Sequence, residues 1–345
     1  MSRFLALAVT LFLAGAADAA GVRQFAILSG TRGSDLDMTV WYPAGDGGDP
    51  VVLGENPFFE GTPAVRDAPI AAGRFPLVLL SHGAGLAGRA EAMSWIATPL
   101  ADRGFVVAAP THPGNTGPDR SAAETMKLWL RPTDLSEALD AIEQDEAFAR
   151  QLDDGKVGVL GLSMGGHTAL AMAGAQIDPA KLAAYCDAPH RNPSLCAWVV
   201  QSGVDLHAMD MTAAGKDHAD GRIDIAMAID PAMSDVFAAG TFAGVDTPVW
   251  LVNLGREGEV PASVDASGVA AALPEARYVR IEDASHFSMF GLCKPDASAL
   301  AEEMEIEEPI CSDGGSNGSA ADRALIHARI IELAAEAFGQ AWVEK

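Results

Sequence analysis

A serine between two glycines, at the end of an apolar run, constrains this chain more than any other feature of its sequence. The run Val157–Leu162 leads to Ser163, and a helix-like stretch follows at once. A residue between a strand and a helix lies in a strained turn, and only small neighbours let the two backbones approach so closely. Gly161 and Gly165 stand at these positions. The pattern predicts a nucleophile elbow, with the Met164 amide beside the serine hydroxyl.

Apolar, β-branched segments alternate with helix-like segments, which is typical of βαβ units and a mainly parallel sheet. The predicted strands are Gln24–Leu28, Asp37–Tyr42, Phe75–Ser81, Phe105–Pro110, Val157–Leu162, Ile223–Ile229, Val249–Asn253 and Tyr278–Ile281. The predicted helices are Ala90–Arg103, Asp134–Leu152, Gly165–Ala175, Val264–Ala272 and Ala320–Phe338. Residues 44–74, rich in Gly, Pro and Asp, are expected to form a loop, and residues 176–222 a small cap over the serine. We expect one α/β domain over residues 21–345, with helices flanking the central sheet.

Residues 1–20 are predicted to be a secretory signal peptide. Arg3 precedes the apolar stretch Phe4–Leu13, and small residues as far as Ala20 follow it, which is the order of a cleaved export signal. The stretch is too short to span a bilayer. The expected location is therefore the periplasm or the extracellular medium.

The four cysteines form two local pairs in the sequence. In an exported chain such pairs predict disulfides that close surface loops, here Cys186 with Cys196 and Cys293 with Cys311. A zinc site requires closer cysteine spacing or a cluster of histidines. We therefore expect no metal.

The acidic balance of the chain restricts its partners. The formal net charge is −24, and such a surface repels nucleic acid and anionic lipid. No later segment reaches the ~18 uninterrupted apolar residues of a membrane span. A neutral or cationic small molecule is the expected ligand, and the sequence does not indicate an oligomeric state.

A serine hydroxyl becomes a good nucleophile only when a base takes its proton and an acid holds that base. His286 follows the last predicted strand in a short turn, from which a loop can carry its imidazole back over the sheet edge. Asp230 ends a predicted strand before a proline, and Glu257 and Glu259 follow the next strand. An aspartate before proline is also a common turn residue, so the residues alone leave the acid open among these three.

Acyl transfer also requires donors for the developing oxyanion. The Met164 amide is one, and the Ala84 amide, in the glycine-rich loop Ser81–Leu86, is the expected second. His82 in this loop is expected to be a structural hydrogen-bonding residue rather than a second base.

Four segments of the chain carry a resemblance to a known family: Phe75–Gly83, Leu100–Ala109, Gly161–Gly166 and Asp283–Phe287. Together they resemble the α/β-hydrolase superfamily, and most of all its branch of platelet-activating-factor acetylhydrolases and dienelactone-hydrolase-like secreted esterases. The resemblance implies an α/β-hydrolase fold and serine-hydrolase chemistry without a cofactor. It does not indicate a substrate.

The same resemblance implies roles for individual residues. It places the nucleophile on Ser163, the base on His286 and the oxyanion donors on Ala84 and Met164. Acetylhydrolase-like members carry the acid at the end of the strand after the elbow helix, which matches Asp230. Many relatives instead carry an aspartate in the loop after the next strand, where this chain has Gly255, Arg256, Glu257 and Gly258. Dienelactone hydrolases proper use a cysteine nucleophile, so the serine here argues against close analogy with them.

The expected function is that of an exported serine hydrolase acting on carboxylic esters, with short acyl chains because a small cap confines the pocket. A peptidase or a polyester or lipid hydrolase would use the same residues. A hydrolase-like binding protein without turnover is the alternative from another class.

Overall fold

The apolar runs of the sequence form the central strands of a ten-stranded sheet in the described part of the chain, residues 20–115, 119–313 and 320–343 of a computed structural model. The predicted signal peptide lies outside these residues, apart from Ala20. The strands are β1 (Gly21–Ser29), β2 (Ser34–Tyr42), β3 (Asp49–Leu53), β4 (Thr62–Arg66), β5 (Phe75–Ser81), β6 (Val106–Pro110), β7 (Leu152–Leu162), β8 (Ile225–Ile229), β9 (Val249–Leu254) and β10 (Arg277–Ile281).

The sheet is parallel over most of its width. Its strand order is β10-β9-β8-β7-β5-β6-β2-β1-β4-β3. The strands from β10 to β6 in this order are all parallel, whereas β2 is antiparallel to both β6 and β1. The carboxyl ends of the parallel strands therefore meet at one edge, where ligand sites form in open α/β sheets.

Helices cover both faces of the sheet. They are α1 (Ser94–Ala101), α2 (Ala122–Met126), α3 (Leu130–Gln144), α4 (Glu146–Ala149), α5 (Met164–Met172), α6 (Pro179–Ala183), α7 (Pro193–Gln201), α8 (Ser267–Ala272), α9 (Ala297–Glu303) and α10 (Ala320–Val343). Alternate side chains of a strand point to opposite faces. Leu77 and Leu79 accordingly join one hydrophobic core with α3 and α5, and Val78 and Leu80 join another with α1 and α10. Within the described residues, no helix is both long enough and apolar enough to cross a membrane.

Residues 44–74 are not simply a loop, and this prediction was wrong. Strands β3 and β4 pair antiparallel within them, and β4 adds to the sheet beside β1. Glycines and prolines around the two short strands give the segment the composition of a loop. A second correction concerns the helix expected over residues 134–152. It starts earlier, as α3, and Asp145 caps the separate helix α4. From Leu152 onward the chain already belongs to β7.

Candidate active site

Ser163 lies in the turn between β7 and α5. Its backbone has φ 57° and ψ −119°, a conformation that costs a non-glycine residue about 1–3 kcal/mol. Neighbouring backbone holds the turn, because the Ser163 amide donates to the carbonyl of Ile229 at 2.9 Å and the Ser163 carbonyl accepts from the Ala232 amide at 3.0 Å. The strain is therefore stabilised by contacts with the end of β8.

The glycines around Ser163 are placed where the backbones approach most closely. A Cβ on Gly161 would overlap the carbonyl oxygen of Gly165, and a Cβ on Gly165 would overlap that of Ser81. A Cβ on Gly83 would be only 3.4 Å from the Ser163 Cβ. The loop after β5 thus lies directly against the serine.

His286 reaches this serine from the loop after β10. Its Nε2 is 3.5 Å from Ser163 Oγ, and its Nδ1 is 2.9 Å from Asp230 Oδ2. The first distance is longer than an ordinary hydrogen bond. Catalytic hydrogen bonds are often long in free enzymes and shorten when substrate binds.

Asp230 is fully buried at the end of β8, and its backbone also has a positive φ, 45°. Oδ1 accepts hydrogen bonds from Asn253 Nδ2 and from the Leu254 amide, both at 2.8 Å, which leaves Oδ2 to His286. Asn253 is held in turn by the Tyr278 hydroxyl, 2.9 Å from its Oδ1. Sequence reasoning missed Asn253, whose only signal is a polar side chain near the end of the apolar strand β9.

The alternative acids lie elsewhere. Glu257 is largely exposed and pairs with Arg280 at 2.8 Å. Glu259 is also exposed and lies 4.0 Å from Arg256. Among the described carboxylates, only Asp230 contacts the His286 ring.

The two predicted oxyanion donors belong to segments next to Ser163: Met164 follows it in the chain, and the loop that carries Ala84 lies against it. Met164 is the first residue of α5, where backbone N–H groups have no partner within the helix. Ala84 follows Gly83 in the loop after β5, and its amide donates to no other group of the described residues. His82 is fully buried in the same loop, and its Nδ1 donates to the Gly83 carbonyl at 2.7 Å. A structural hydrogen-bonding role stays a prediction for this residue.

A second chain of serine, histidine and aspartate lies behind this loop, buried from solvent. The Ser81 hydroxyl is 2.9 Å from His112 Nε2, and His112 Nδ1 is 2.8 Å from Asp134 Oδ2. Arg32 binds the same carboxylate through two nitrogens, at 2.8 and 2.7 Å. Burial, with Arg131 and Arg32 nearby, holds the pKa of His112 well below its usual value. Sequence reasoning did not find this group, because its members come from four separate segments.

The loop that carries His286 rests on a buried polar network. The short 3-10 helix His286–Met289 has a capping box, in which Ser285 and Ser288 each bond the other's backbone. Ser288 Oγ also donates to Asp313 Oδ1 at 2.5 Å, and Arg323 pairs with this buried carboxylate at 3.2 Å. Helix α10, which carries Arg323, therefore helps to position the histidine.

Both predicted disulfides are present. Cys186 bonds Cys196 across 10 residues and Cys293 bonds Cys311 across 18. The first lies in the segment 176–222, whose buried residues pack into the core on the α3 and α5 face of the sheet. A cap over Ser163 stays a prediction for this segment.

Comparison with known families agrees with this architecture. The model of a family described as "Alpha/beta hydrolase family" matches residues 77–302, a stretch that contains Ser163, Asp230 and His286. The chain belongs to the alpha/beta hydrolase family. No curated protein matches this alpha/beta hydrolase in sequence.

One solved structure shows the same fold at low sequence identity, and two others are similar to the chain more weakly. A ferulic acid esterase from Streptomyces cinnamoneus superposes with a TM-score of 0.57 at 18% identity, over 92% of this chain and 89% of that one. A dienelactone hydrolase-like promiscuous phosphotriesterase from metagenomic libraries has a TM-score of 0.49 at 14% identity, over 92% and 99% of the two chains. A dienelactone hydrolase from Anabaena variabilis has a TM-score of 0.46 at 16% identity, over 83% and 95%.

Proposed function

We propose that this protein is an exported serine esterase that hydrolyses carboxylic esters through an acyl-enzyme. The observation that carries the proposal is the line of contacts from Asp230 Oδ2 through His286 to Ser163 Oγ, at 2.9 and 3.5 Å. Membership of the alpha/beta hydrolase family supports hydrolytic chemistry. The fold shared with a ferulic acid esterase is in keeping with an ester substrate.

Acylation begins when His286 Nε2 takes the proton of Ser163 Oγ, which then bonds to the ester carbonyl carbon. The carbonyl electron pair moves onto oxygen, and the amides of Ala84 and Met164 stabilise the resulting oxyanion. Asp230 holds the ring in the tautomer with its proton on Nδ1 and stabilises the imidazolium. His286 then donates the proton to the leaving alkoxide as the ester bond breaks.

Deacylation repeats these steps with water. His286 removes a proton from a water molecule, whose oxygen attacks the acyl carbon while the same amides hold the oxyanion. The bond to Ser163 Oγ breaks, the serine regains its proton from His286, and the carboxylic acid leaves. No step requires a metal or an organic cofactor.

An apolar surface beside the reaction centre supports an uncharged ester as substrate. Leu86 ends the oxyanion loop and Phe287 follows His286, and both pack against a hydrophobic cluster that contains Phe58 and Phe59. Together with the proposed cap, this favours short acyl chains. A panel of p-nitrophenyl acetate, butyrate, octanoate and laurate tests it, and equal kcat/KM for acetate and laurate would contradict the short-chain proposal.

The decisive experiment replaces Ser163 with Ala. We expect kcat on p-nitrophenyl acetate to fall by roughly 10⁴-fold or more, because the nucleophile is lost. A fluorophosphonate probe should label the wild type on the peptide that contains Ser163 and should not label the variant.

The exposed serine Ser202, at the end of α7, provides a matched control. Ser202→Ala should keep both turnover and labelling. Undiminished turnover in Ser163→Ala would refute the proposed nucleophile. A folded wild type that neither turns over esters nor takes the probe would instead favour a binding protein.

A further inference from the structure

The peptide bond between Gly83 and Ala84 accepts hydrogen bonds at its carbonyl oxygen. Its N–H group belongs to Ala84, the proposed oxyanion donor, and its carbonyl belongs to Gly83. His82 Nδ1 lies 2.7 Å from that carbonyl oxygen and Arg131 Nη2 lies 3.4 Å from it. Arg131 Nη2 also donates to the carbonyl of His82. Two buried donors therefore converge on the oxyanion loop.

The hydrogen-bond network fixes where the proton of His82 resides. The His112 amide donates to His82 Nε2 at 2.9 Å. A backbone N–H cannot accept, so Nε2 carries a lone pair and the ring proton is on Nδ1, directed at the Gly83 carbonyl. Burial, with His112 and Arg131 nearby, holds the pKa of His82 well below its usual value. The ring is therefore a neutral donor at physiological pH.

The burial of Arg131 lowers the stability of the fold, which points to a role other than stabilisation. Its side chain is 2% exposed, and burial lowers its pKa to about 9. Its hydrogen-bond acceptors among the described residues are the two loop carbonyls and Asn115 Oδ1, 3.3 Å from Nη1. The nearby Asp134 is bonded instead to Arg32 and His112. A buried charge without a carboxylate bonded to it destabilises a fold, and groups with strongly shifted pKa values cluster at functional sites.

Hydrogen bonds to the carbonyl of an amide make its N–H a stronger donor, because the bonds of a chain polarise one another. The effect is larger when one donor is a cation. The guanidinium of Arg131 is also buried against the loop, where the low dielectric lets its positive charge favour negative charge that develops at the proposed oxyanion site.

We propose that Arg131 and His82 are positioning residues for the Ala84 amide, which they orient and strengthen toward the oxyanion through the Gly83 carbonyl. The inference rests on the proposed esterase function. It adds a buried cation and a neutral histidine of fixed tautomer to the oxyanion hole, although neither touches the substrate.

Two substitutions of His82 separate this role from a structural one. In His82→Asn the side-chain amide nitrogen takes the place of Nδ1 and can still donate to the Gly83 carbonyl. In His82→Gln the side chain reaches the Nε2 position and keeps the contact with the His112 amide, but loses the donor. We expect His82→Gln to lower kcat by about 10-fold with little change in KM, because it weakens the Ala84 donor, and a weakened oxyanion donor costs less than a lost one. His82→Asn keeps the hydrogen bond to the Gly83 carbonyl and should stay near wild type. If His82 had only a structural role, kcat would fall equally in both variants or would fall less in His82→Gln.

A transition-state analogue reports the oxyanion directly. An alkyl trifluoromethyl ketone with ¹³C at the carbonyl bonds to Ser163 Oγ, which passes its proton to His286, and the resulting hemiketal oxygen titrates in the ¹³C spectrum. Its pKa should be higher by about 1 in His82→Gln and in Arg131→Lys than in the wild type, the equivalent of the 10-fold loss. Arg222→Lys, which alters an arginine paired with Asp140 and Glu143 of α3, is the control and should leave this pKa unchanged.

The outcomes distinguish the two proposals. A wild type that forms no hemiketal and cleaves no ester would refute the esterase itself. An active wild type with the same hemiketal pKa in His82→Gln, or an equal loss of kcat in both His82 variants, would refute only the positioning role. If neither His82 variant folds, Arg131→Lys decides, and an unchanged hemiketal pKa in that variant would overturn the inference.

Discussion

One carboxylate oxygen of Asp230 accepts hydrogen bonds from Asn253 and the Leu254 amide, and the other contacts His286. Asp230→Asn keeps the shape of the side chain but removes the charge that orients the ring and stabilises the imidazolium. We expect kcat on p-nitrophenyl acetate to fall by roughly 10⁴-fold, with near-native circular dichroism.

Glu257→Gln is the matched comparison, because it removes a carboxylate that pairs with Arg280 on an exposed surface. Exposed ion pairs contribute about 0–1 kcal/mol, so neither stability nor turnover should change measurably. A large loss in Glu257→Gln with a small one in Asp230→Asn would move the acid to the loop after β9.

The site residues that could be predicted from the sequence are those whose local sequence pattern has a physical explanation. Ser163 could be predicted because Gly161 and Gly165, which allow the close backbone contacts of its turn, lie in the same short segment. Asn253 and Arg131 had no such pattern. Each is a single polar residue in a strand or helix, and its partners come from distant segments that only the fold brings together.

At the scale of elements, the second disulfide is tied to the loop that carries the proposed base. Cys293 Sγ lies 3.3 Å from Arg323 Nη1, and Cys311 precedes Asp313, which bonds Ser288. We expect the double variant Cys293→Ser, Cys311→Ser to lose about 3 kcal/mol of unfolding free energy. Its kcat should also fall by about 10-fold, because His286 is less well positioned.

The first disulfide is the control for this effect, since it closes a shorter loop in the separate segment 176–222. The double variant Cys186→Ser, Cys196→Ser should lose a similar free energy of unfolding, about 2.7 kcal/mol, with a smaller change in kcat. Urea titration and p-nitrophenyl acetate turnover measure the two quantities. Equal kcat in both double variants would show that the disulfide next to Asp313 does not position the base.

Elements with a strong periodic or apolar pattern were predictable, and weakly patterned ones were not. Strand β9 is buried along its whole length, which matches the apolar run Val249–Val252 at its start. Strands β3 and β4 are short and lie near the sheet edge among glycines and prolines, so they read as a loop. The end of α3 was missed because the Asp145 cap, which accepts from the Ala147 and Phe148 amides, divides one helical pattern into two helices.

At the scale of the whole molecule, buried histidines couple folding to pH. Burial lowers the pKa of His167 to about 3 and that of His327 to about 4, whereas both have an ordinary pKa of about 6.5 in the unfolded chain. Between these limits the unfolded state binds protons that the folded state does not. The free energy of unfolding therefore rises with pH in this range and falls as pH drops below about 6.5, by about 1.4 kcal/mol per pH unit for each histidine.

Replacing His167 with Phe isolates one of these protons. The His167 ring stacks on Phe237, with ring centroids 4.2 Å apart, so an aromatic ring of similar shape keeps the packing while the titrating group is lost. Urea unfolding at steps from about pH 7 to about pH 4.5 should give a free energy of unfolding that falls less steeply in the variant, by about 1.4 kcal/mol per pH unit. The two proteins should differ most at the acid end, where the wild type carries the full penalty of keeping His167 neutral. If the free energy of unfolding falls equally with pH in wild type and variant, His167 takes up its proton as readily in the folded state as in the unfolded chain. That result would contradict the lowering of its pKa by burial.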